Sequence, residues 1–268
     1  MQYDPIKRSL GRVFNRSLWL RKLLYALLDL LLLRSWYVRR ELKRWKKGRN
    51  PVLRALDAGS GFGQYSYFLH TLSNQWQVTG VDVKTEQIED CNQFFGKAGI
   101  KNVHFEYADL TNYSPENKFD LILCVDVMEH IEDDISVFNT FSKILSPDGM
   151  LLVSTPSDLG GSDVHDEDDA SFIDEHVRDG YNKEDITNKL LNAGFTRVEV
   201  QYSYGTYGKA AWKISMKFPI TMLNVSKLFF ILLPLYYALL FPLALIFNAI
   251  DLYKSNKEGT GLIVKAYK

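Results

Sequence analysis

From residue 52 onward, apolar and polar positions fall into two alternating rhythms. Short apolar runs at 52–58, 76–83, 103–107, 119–125 and 150–155 read as strands. Between them, 64–72, 85–98, 134–145 and 182–193 repeat every three to four residues and read as helices. Ser146-Pro147-Asp148-Gly149 reads as a turn, and Gly194 closes the last of these helices. Two further runs, 196–204 and 260–267, read as strands. Strands alternating with helices of this length predict an α/β fold, with a mostly parallel sheet covered on both faces.

Three stretches break the rhythm. Residues 17–33 and 228–247 are strongly apolar, the second without a single charge, and residues 158–179 hold nine carboxylates against one arginine. Asn50-Pro51 interrupts the helical pattern of the first fifty residues, so the globular part is expected to begin near Val52. With 268 residues and 46% hydrophobic content the chain can bury a sizeable core, which excludes disorder as its default. Cys91 and Cys124 fall inside predicted elements and read as reduced, buried thiols of a cytosolic compartment. Charge changes the picture more. The formal net charge is zero, yet residues 1–50 carry 14 Lys+Arg against 3 Asp+Glu, and the remainder 18 against 29. A basic arm on an acidic body points to an anionic partner, phospholipid or nucleic acid.

The chemistry starts at Leu56-Asp57-Ala58-Gly59-Ser60-Gly61-Phe62-Gly63, which follows an apolar run and opens a helical one. Glycines let the backbone turn tightly and approach a ligand, and the helix start offers free N–H groups. A dinucleotide fingerprint needs its third glycine at position 64, which is Gln64. The carboxylate of Asp57 would repel a pyrophosphate and suits an ammonium group. Asp82 ends the next strand, where nucleotide-binding α/β folds place the acid that bonds ribose hydroxyls.

Residues 52–204 resemble the class I S-adenosylmethionine-dependent methyltransferases of the small-molecule type, with motifs similar to those of ubiquinone-pathway O-methyltransferases. Five stretches carry the resemblance in order: Leu56–Gly63, Gly80–Val83, Tyr107–Leu110, Phe119–Ile131 and Leu145–Leu151. It implies S-adenosylmethionine as cofactor, with Asp57, Gly59, Ser60, Gly61, Gly63, Asp82, Val83, Asp109, Leu110 and Val125 around it. In that reading Asp82 holds the ribose, Val83 packs on the adenine and Asp109 meets the adenine amino group. It also implies a Rossmann-like seven-stranded sheet with an antiparallel last strand, 205–259 being inserted before that strand.

The cofactor's sulfonium already makes its methyl group electrophilic. The protein must position the acceptor and, for a hydroxyl, help remove its proton. His130, just past a strand end, and His176, in the segment that covers the substrate in similar enzymes, are the candidate bases. Asp126-x-x-Glu129-His130 resembles the divalent-ion pattern of ubiquinone-pathway and plant small-RNA methyltransferases, with Asp in place of the usual Glu. His165 or His176 could complete it, but Glu-His follows this strand in metal-free relatives too, and no metal ligand is assigned. The 158–179 stretch, whose Asp166–Asp169 run has no glycine where an EF-hand loop needs one, reads as a solvated lid rather than a cation site or a selectivity filter.

Residues 228–247 are long enough to span a bilayer, yet the last strand follows them and must return to the sheet. Pro234 and Pro242 are expected to break the segment twice, as in a re-entrant or in-plane element, with Tyr236 and Tyr237 at headgroup level. The 17–33 segment carries Arg21, Lys22 and Asp29 and is followed by basic residues interleaved with Trp36, Tyr37 and Trp45. That reads as an amphipathic helix anchored to anionic lipid, the alternative being a helical cap folded onto the domain or a dimer contact. The expected organisation is a membrane-anchoring arm (1–50), a methyltransferase domain (51–204), a membrane-associated helical insertion (205–259) and a last strand (260–268). The expected setting is the cytoplasmic face of a membrane, with a hydrophobic or lipid-like acceptor. The apolar run inside the basic arm disfavours the rival reading, a nucleic-acid methyltransferase. The intact glycine turn disfavours a second, a non-catalytic adaptor. Oligomeric state and acceptor atom are not legible.

Overall fold

The computed structural model describes residues 17–160 and 177–268. Its centre is a seven-stranded sheet: β1 (Arg54–Ala58), β2 (Gln77–Asp82), β3 (Val103–Tyr107), β4 (Phe119–Val125), β5 (Leu145–Pro156), β6 (Arg197–Ser203) and β7 (Gly261–Tyr267). The strand order is β3-β2-β1-β4-β5-β7-β6. Helices α3 (Gln64–Leu72), α4 (Thr85–Lys97), α5 (Asp134–Ile144) and α6 (Lys183–Asn192) connect the strands. β1 to β5 pair in parallel, while β7 runs antiparallel to both β5 and β6. This is the Rossmann-like arrangement expected.

Alternation along each strand feeds two cores. On β4, Leu121 and Leu123 join α3 and α4 on one face, and Ile122 and Cys124 join α5 and α6 on the other. One local expectation changes. Residues 146–149 do not end an element but lie inside β5, which runs from Leu145 with a register shift opposite Phe119 and Leu121. Asp148 takes the left-handed backbone (φ 60°) that lets the strand absorb its extra residues as a bulge.

The N-terminal segment forms two helices, α1 (Leu18–Leu31) and α2 (Leu33–Lys46), separated by the extended residue Leu32. They do not stand apart as an arm. Tyr25, Leu33, Tyr37, Val38, Leu42 and Trp45 are buried in the same core as Trp76, Phe94 and Leu121. Over the described residues these two helices and the sheet share one core.

The insertion between β6 and β7 is a helical hairpin. Its first limb is α7 (Thr206–Trp212), a π-helical turn (Lys213–Lys217) and α8 (Phe218–Val225). After a 3-10 turn (Lys227–Ile231) the second limb is α9 (Leu233–Tyr253). Pro219 explains the π turn, since its ring displaces the carbonyl four residues back, at Ser215. Tyr237 donates its hydroxyl to the Ser215 carbonyl (3.0 Å) and Tyr236 to that of Ile214 (2.7 Å). Both hydroxyls thus tie the two limbs of the hairpin together. The prolines behave differently than expected: Pro234 sits in the first turn of α9, where its missing N–H costs nothing, and Pro242 leaves the 21-residue helix continuous.

Candidate active site

The glycine turn hangs on the end of β2, where Val81 O accepts from Gly59 N (2.8 Å) and Ser60 N (2.9 Å). Gly59 has φ 77°, and a Cβ there would lie 2.2 Å from Val127 Cγ2, so only glycine lets the turn lie against the end of β4. Gly61, at φ 49°, faces open space: a Cβ would meet nothing nearer than Gln87 Oε1 at 3.9 Å. That opening, before the uncapped start of α3 at Gly63, is a cradle for a ligand.

Of the residues implied for the cofactor, Asp82 meets the turn directly. Asp57 is buried, accepts from Ser66 Oγ (2.6 Å), and has its carboxyl pushed up to about 6 by that burial. Asp82 accepts from Gly61 N (3.0 Å) at one oxygen and from Lys84 N (3.0 Å) at the other, leaving each oxygen a further lone pair. Beside it Val83 is 48% exposed, an apolar face placed to cover a flat ring. Ser60 Oγ is buried without a hydrogen-bond partner. Asp109 is exposed and accepts from Thr111 N and Oγ1 at one oxygen. Leu110 is buried in the core, and Val125 packs against the α3–α4 core. These features fit S-adenosylmethionine: a close-approach turn, a ribose acid, an apolar ring platform and an unmatched hydroxyl.

At the end of β4, Asp126 adopts φ 52° and directs Oδ2 to Arg34 Nε (2.8 Å). Glu129, in the 3-10 turn Met128–His130, is buried and accepts from Thr155 Oγ1 (3.1 Å). Burial, and then the neighbouring Asp126, hold its carboxyl well above the usual carboxylate range, so it can carry a proton at neutral pH. His130 lies half-buried at the end of that turn. His176, His165 and most of the acidic stretch lie outside the described residues. Among the described residues no three His, Cys, Asp or Glu side chains converge as a metal site.

Sequence reasoning missed the contribution of α1 and α2. Arg21 is 1% exposed; it pairs with Asp90, lies 4.7 Å over the Phe94 ring and donates to Phe62 O (2.8 Å) inside the glycine turn. Tyr25 donates to the same carbonyl. Gln64, the first residue of α3, donates to Asp29 (2.8 Å), and Arg34 reaches Asp126 while its backbone N–H donates to the Tyr204 hydroxyl (3.1 Å). The signal was present: an arginine at position 21, inside an apolar run, needs either solvent or a buried partner.

Residues 50–199 match the family model described as "Methyltransferase domain". The chain is 31% identical over 147 residues to a phosphoethanolamine N-methyltransferase of Triticum aestivum, covering 54% of this chain and 28% of that one. It is 32% identical over 108 residues to a ubiquinone biosynthesis O-methyltransferase of Haemophilus ducreyi, covering 38% and 44% respectively. The chain thus spans less than half the length of these curated relatives. Its fold is similar to that of phosphoethanolamine N-methyltransferase 2 of Haemonchus contortus in complex with S-adenosyl-L-methionine, at 20% identity and TM-score 0.60, over 87% of this chain and 53% of that one.

Proposed function

Because the chain belongs to the methyltransferase-domain family, we propose that it transfers a methyl group from S-adenosylmethionine to a hydrophobic, lipid-like small molecule at a membrane surface. The observation that carries the cofactor half is the open space at Gly61 between Asp82 and the exposed Val83. When bound there, S-adenosylmethionine supplies an electrophilic methyl group. Asp82 would hold the ribose, Val83 would cover the adenine, and Asp57 would face the ammonium group. In this reading the Arg34–Asp126 pair at the end of β4 would wall the acceptor side, with the following Glu129 and His130 beside it. His130, just past the end of β4, would take a proton from a hydroxyl or ammonium acceptor.

The membrane half is supported by α9. The helix is about 31 Å long at 1.5 Å per residue, and only 11% of its most apolar 18-residue stretch is buried. Leu235, Leu239, Leu243, Ile246 and Ile250 lie exposed at three- and four-residue spacing, forming one continuous stripe. Leu228, Phe230 and Ile231 extend it through the preceding turn. A stripe of this size on a surface otherwise rich in charge favours lipid contact. Both ends of the hairpin return to adjacent strands of one sheet, which suits an in-plane helix better than a crossing.

The test is calorimetric titration of S-adenosylhomocysteine into the protein, with Asp82→Ala and Asp57→Asn beside it. Micromolar binding, lost in Asp82→Ala, is expected. With Asp57 titrating near 6, affinity for the cationic ammonium group falls by up to tenfold per pH unit below that value, and Asp57→Asn flattens the profile. No binding by folded wild-type protein would sink the enzyme reading in favour of a non-catalytic adaptor. Salt-sensitive RNA binding without vesicle binding would favour a nucleic-acid acceptor.

A further inference from the structure

We propose that the groove between α1 and α2 binds the phosphate headgroup of an anionic phospholipid whose acyl chains lie along the apolar stripe of α9. This rests on the membrane reading above and adds to it a specific lipid class and a place.

The groove has a volume of about 670 Å³, and none of the residues placed around the cofactor line it. Its walls mix cations with apolar and aromatic surface: Lys22, Arg39, Arg40 and Lys43 with Trp36 and Tyr253. The cations are not equivalent. Arg39 pairs with Asp29 and lies 4.1 Å over the Phe68 ring. Arg40 is held by Glu41 (2.7 Å) and by the Leu252 carbonyl. Those contacts fix the groove's shape. Lys22 and Lys43 are exposed, and neither has a carboxylate partner among the described residues. Among the described residues, the contact of Lys22 is with the Tyr67 ring, 6.0 Å away. Asp29, the single carboxylate of the lining, is already neutralised by Arg39. The concavity therefore offers uncompensated positive charge to an anion.

The second observation is continuity. Tyr253 is both a wall of the groove and the last residue of the exposed α9 stripe; Leu252 and the 40%-exposed Leu30 line the groove beside it. A soluble phosphate would use the lysines and ignore the stripe. A ligand with a phosphate at one end and a hydrocarbon body at the other uses both. With α9 in the membrane plane, the groove sits at headgroup depth, where basic residues are attracted to anionic lipid.

The experiment is flotation of the full chain with vesicles of phosphatidylcholine alone and of phosphatidylcholine with phosphatidylglycerol. Wild-type protein is expected to bind the second more tightly, and Lys22→Gln/Lys43→Gln to lose about thirtyfold of that affinity, while keeping its affinity for S-adenosylhomocysteine. Lys97→Gln/Lys101→Gln removes the same charge from exposed positions outside the groove and is expected to lose far less. Equal loss in the two double variants overturns the site in favour of diffuse attraction. Equal binding to both vesicles by wild-type protein overturns it too, and leaves the membrane reading standing. Release from the anionic vesicles by millimolar glycerol phosphate assigns the lysines to a free-phosphate site and overturns the lipid. Binding to neither vesicle overturns the membrane reading itself.

Discussion

The N-terminal helices and the insertion hairpin look alike as apolar additions to one sheet, and they meet opposite fates. α1 and α2 turn several of their charged residues inward: Arg21 to Asp90 and the Phe62 carbonyl, Asp29 to Gln64 and Arg39, Glu41 to Arg40 and Lys265. α9 turns most of its apolar residues outward and buries Ala244, Asn248, Asp251 and Leu252 in its C-terminal half. There Asp251 is fully buried, accepting from Gly208 N (2.9 Å) and from the Tyr37 hydroxyl (2.8 Å). Apolar content alone thus does not say which segment is core. A buried charge with partners ties a segment to the domain, Arg21 along α1 and Asp251 only at the foot of α9, and a charge-free exposed stripe marks the part left for another environment.

The strongest way to break this contrast is to remove the buried charge in one region and add a charge in the other. Arg21→Leu leaves Asp90 without its cation and the Phe62 carbonyl with the Tyr25 hydroxyl as its remaining donor. The expected cost is about 3 kcal/mol or more in urea unfolding, with weaker S-adenosylhomocysteine binding because the glycine turn loses its brace. Leu239→Glu, at a position 68% exposed, is expected to change stability by less than about 0.5 kcal/mol and to abolish vesicle binding. Arg21→Leu at wild-type stability would mean that α1 is an ornament on the domain.

A smaller effect comes from deleting one hydroxyl in each region. Tyr37→Phe withdraws the donor to the buried Asp251 carboxylate and to its carbonyl, and is expected to cost about 1–3 kcal/mol. Tyr237→Phe frees the Ser215 carbonyl at a half-exposed site, where the net cost is about 0.5–1 kcal/mol. Thermal unfolding of the two variants side by side checks the order. The reverse order would place the hairpin, rather than α2, in the cooperative unit of the domain.

The sheet was legible because its strands carry their own pattern. Leu121 to Cys124 are apolar in both directions, as a strand covered on two faces must be, and the turn at Gly59–Gly63 announces itself by glycine spacing. The bulge at 146–149 was not legible, because Pro-Asp-Gly is equally good chemistry for ending a strand or for kinking one. Pro242 misled because an internal proline lowers the odds of a helix without forbidding it. The contribution of α1 and α2 to the site was hidden for a different reason. Arg34 is 92 residues before Asp126 in the chain, and no local periodicity encodes a contact made that far away.

That contact supplies the smallest and sharpest test of the contrast. Arg34 and Asp126 are 36% and 32% exposed, so their pair contributes only about 0.2–1 kcal/mol to stability, and Arg34→Gln is expected to fold normally. Its effect is electrical. Burial first, and then Asp126, hold Glu129 above the ordinary carboxylate range, while Arg34 opposes them. Removing the guanidinium therefore moves the Glu129 titration further upward, and the proton on that carboxyl is kept to higher pH. Carbon-13 titration of the Glu129 side chain reads this directly. Lys213→Gln, an exposed cation on the π turn of the hairpin, is expected to leave the curve where it is. If both variants move it alike, the two additions bear equally on the site and the contrast fails. If only Arg34→Gln moves it, α2 belongs to the active site and the hairpin to its surroundings.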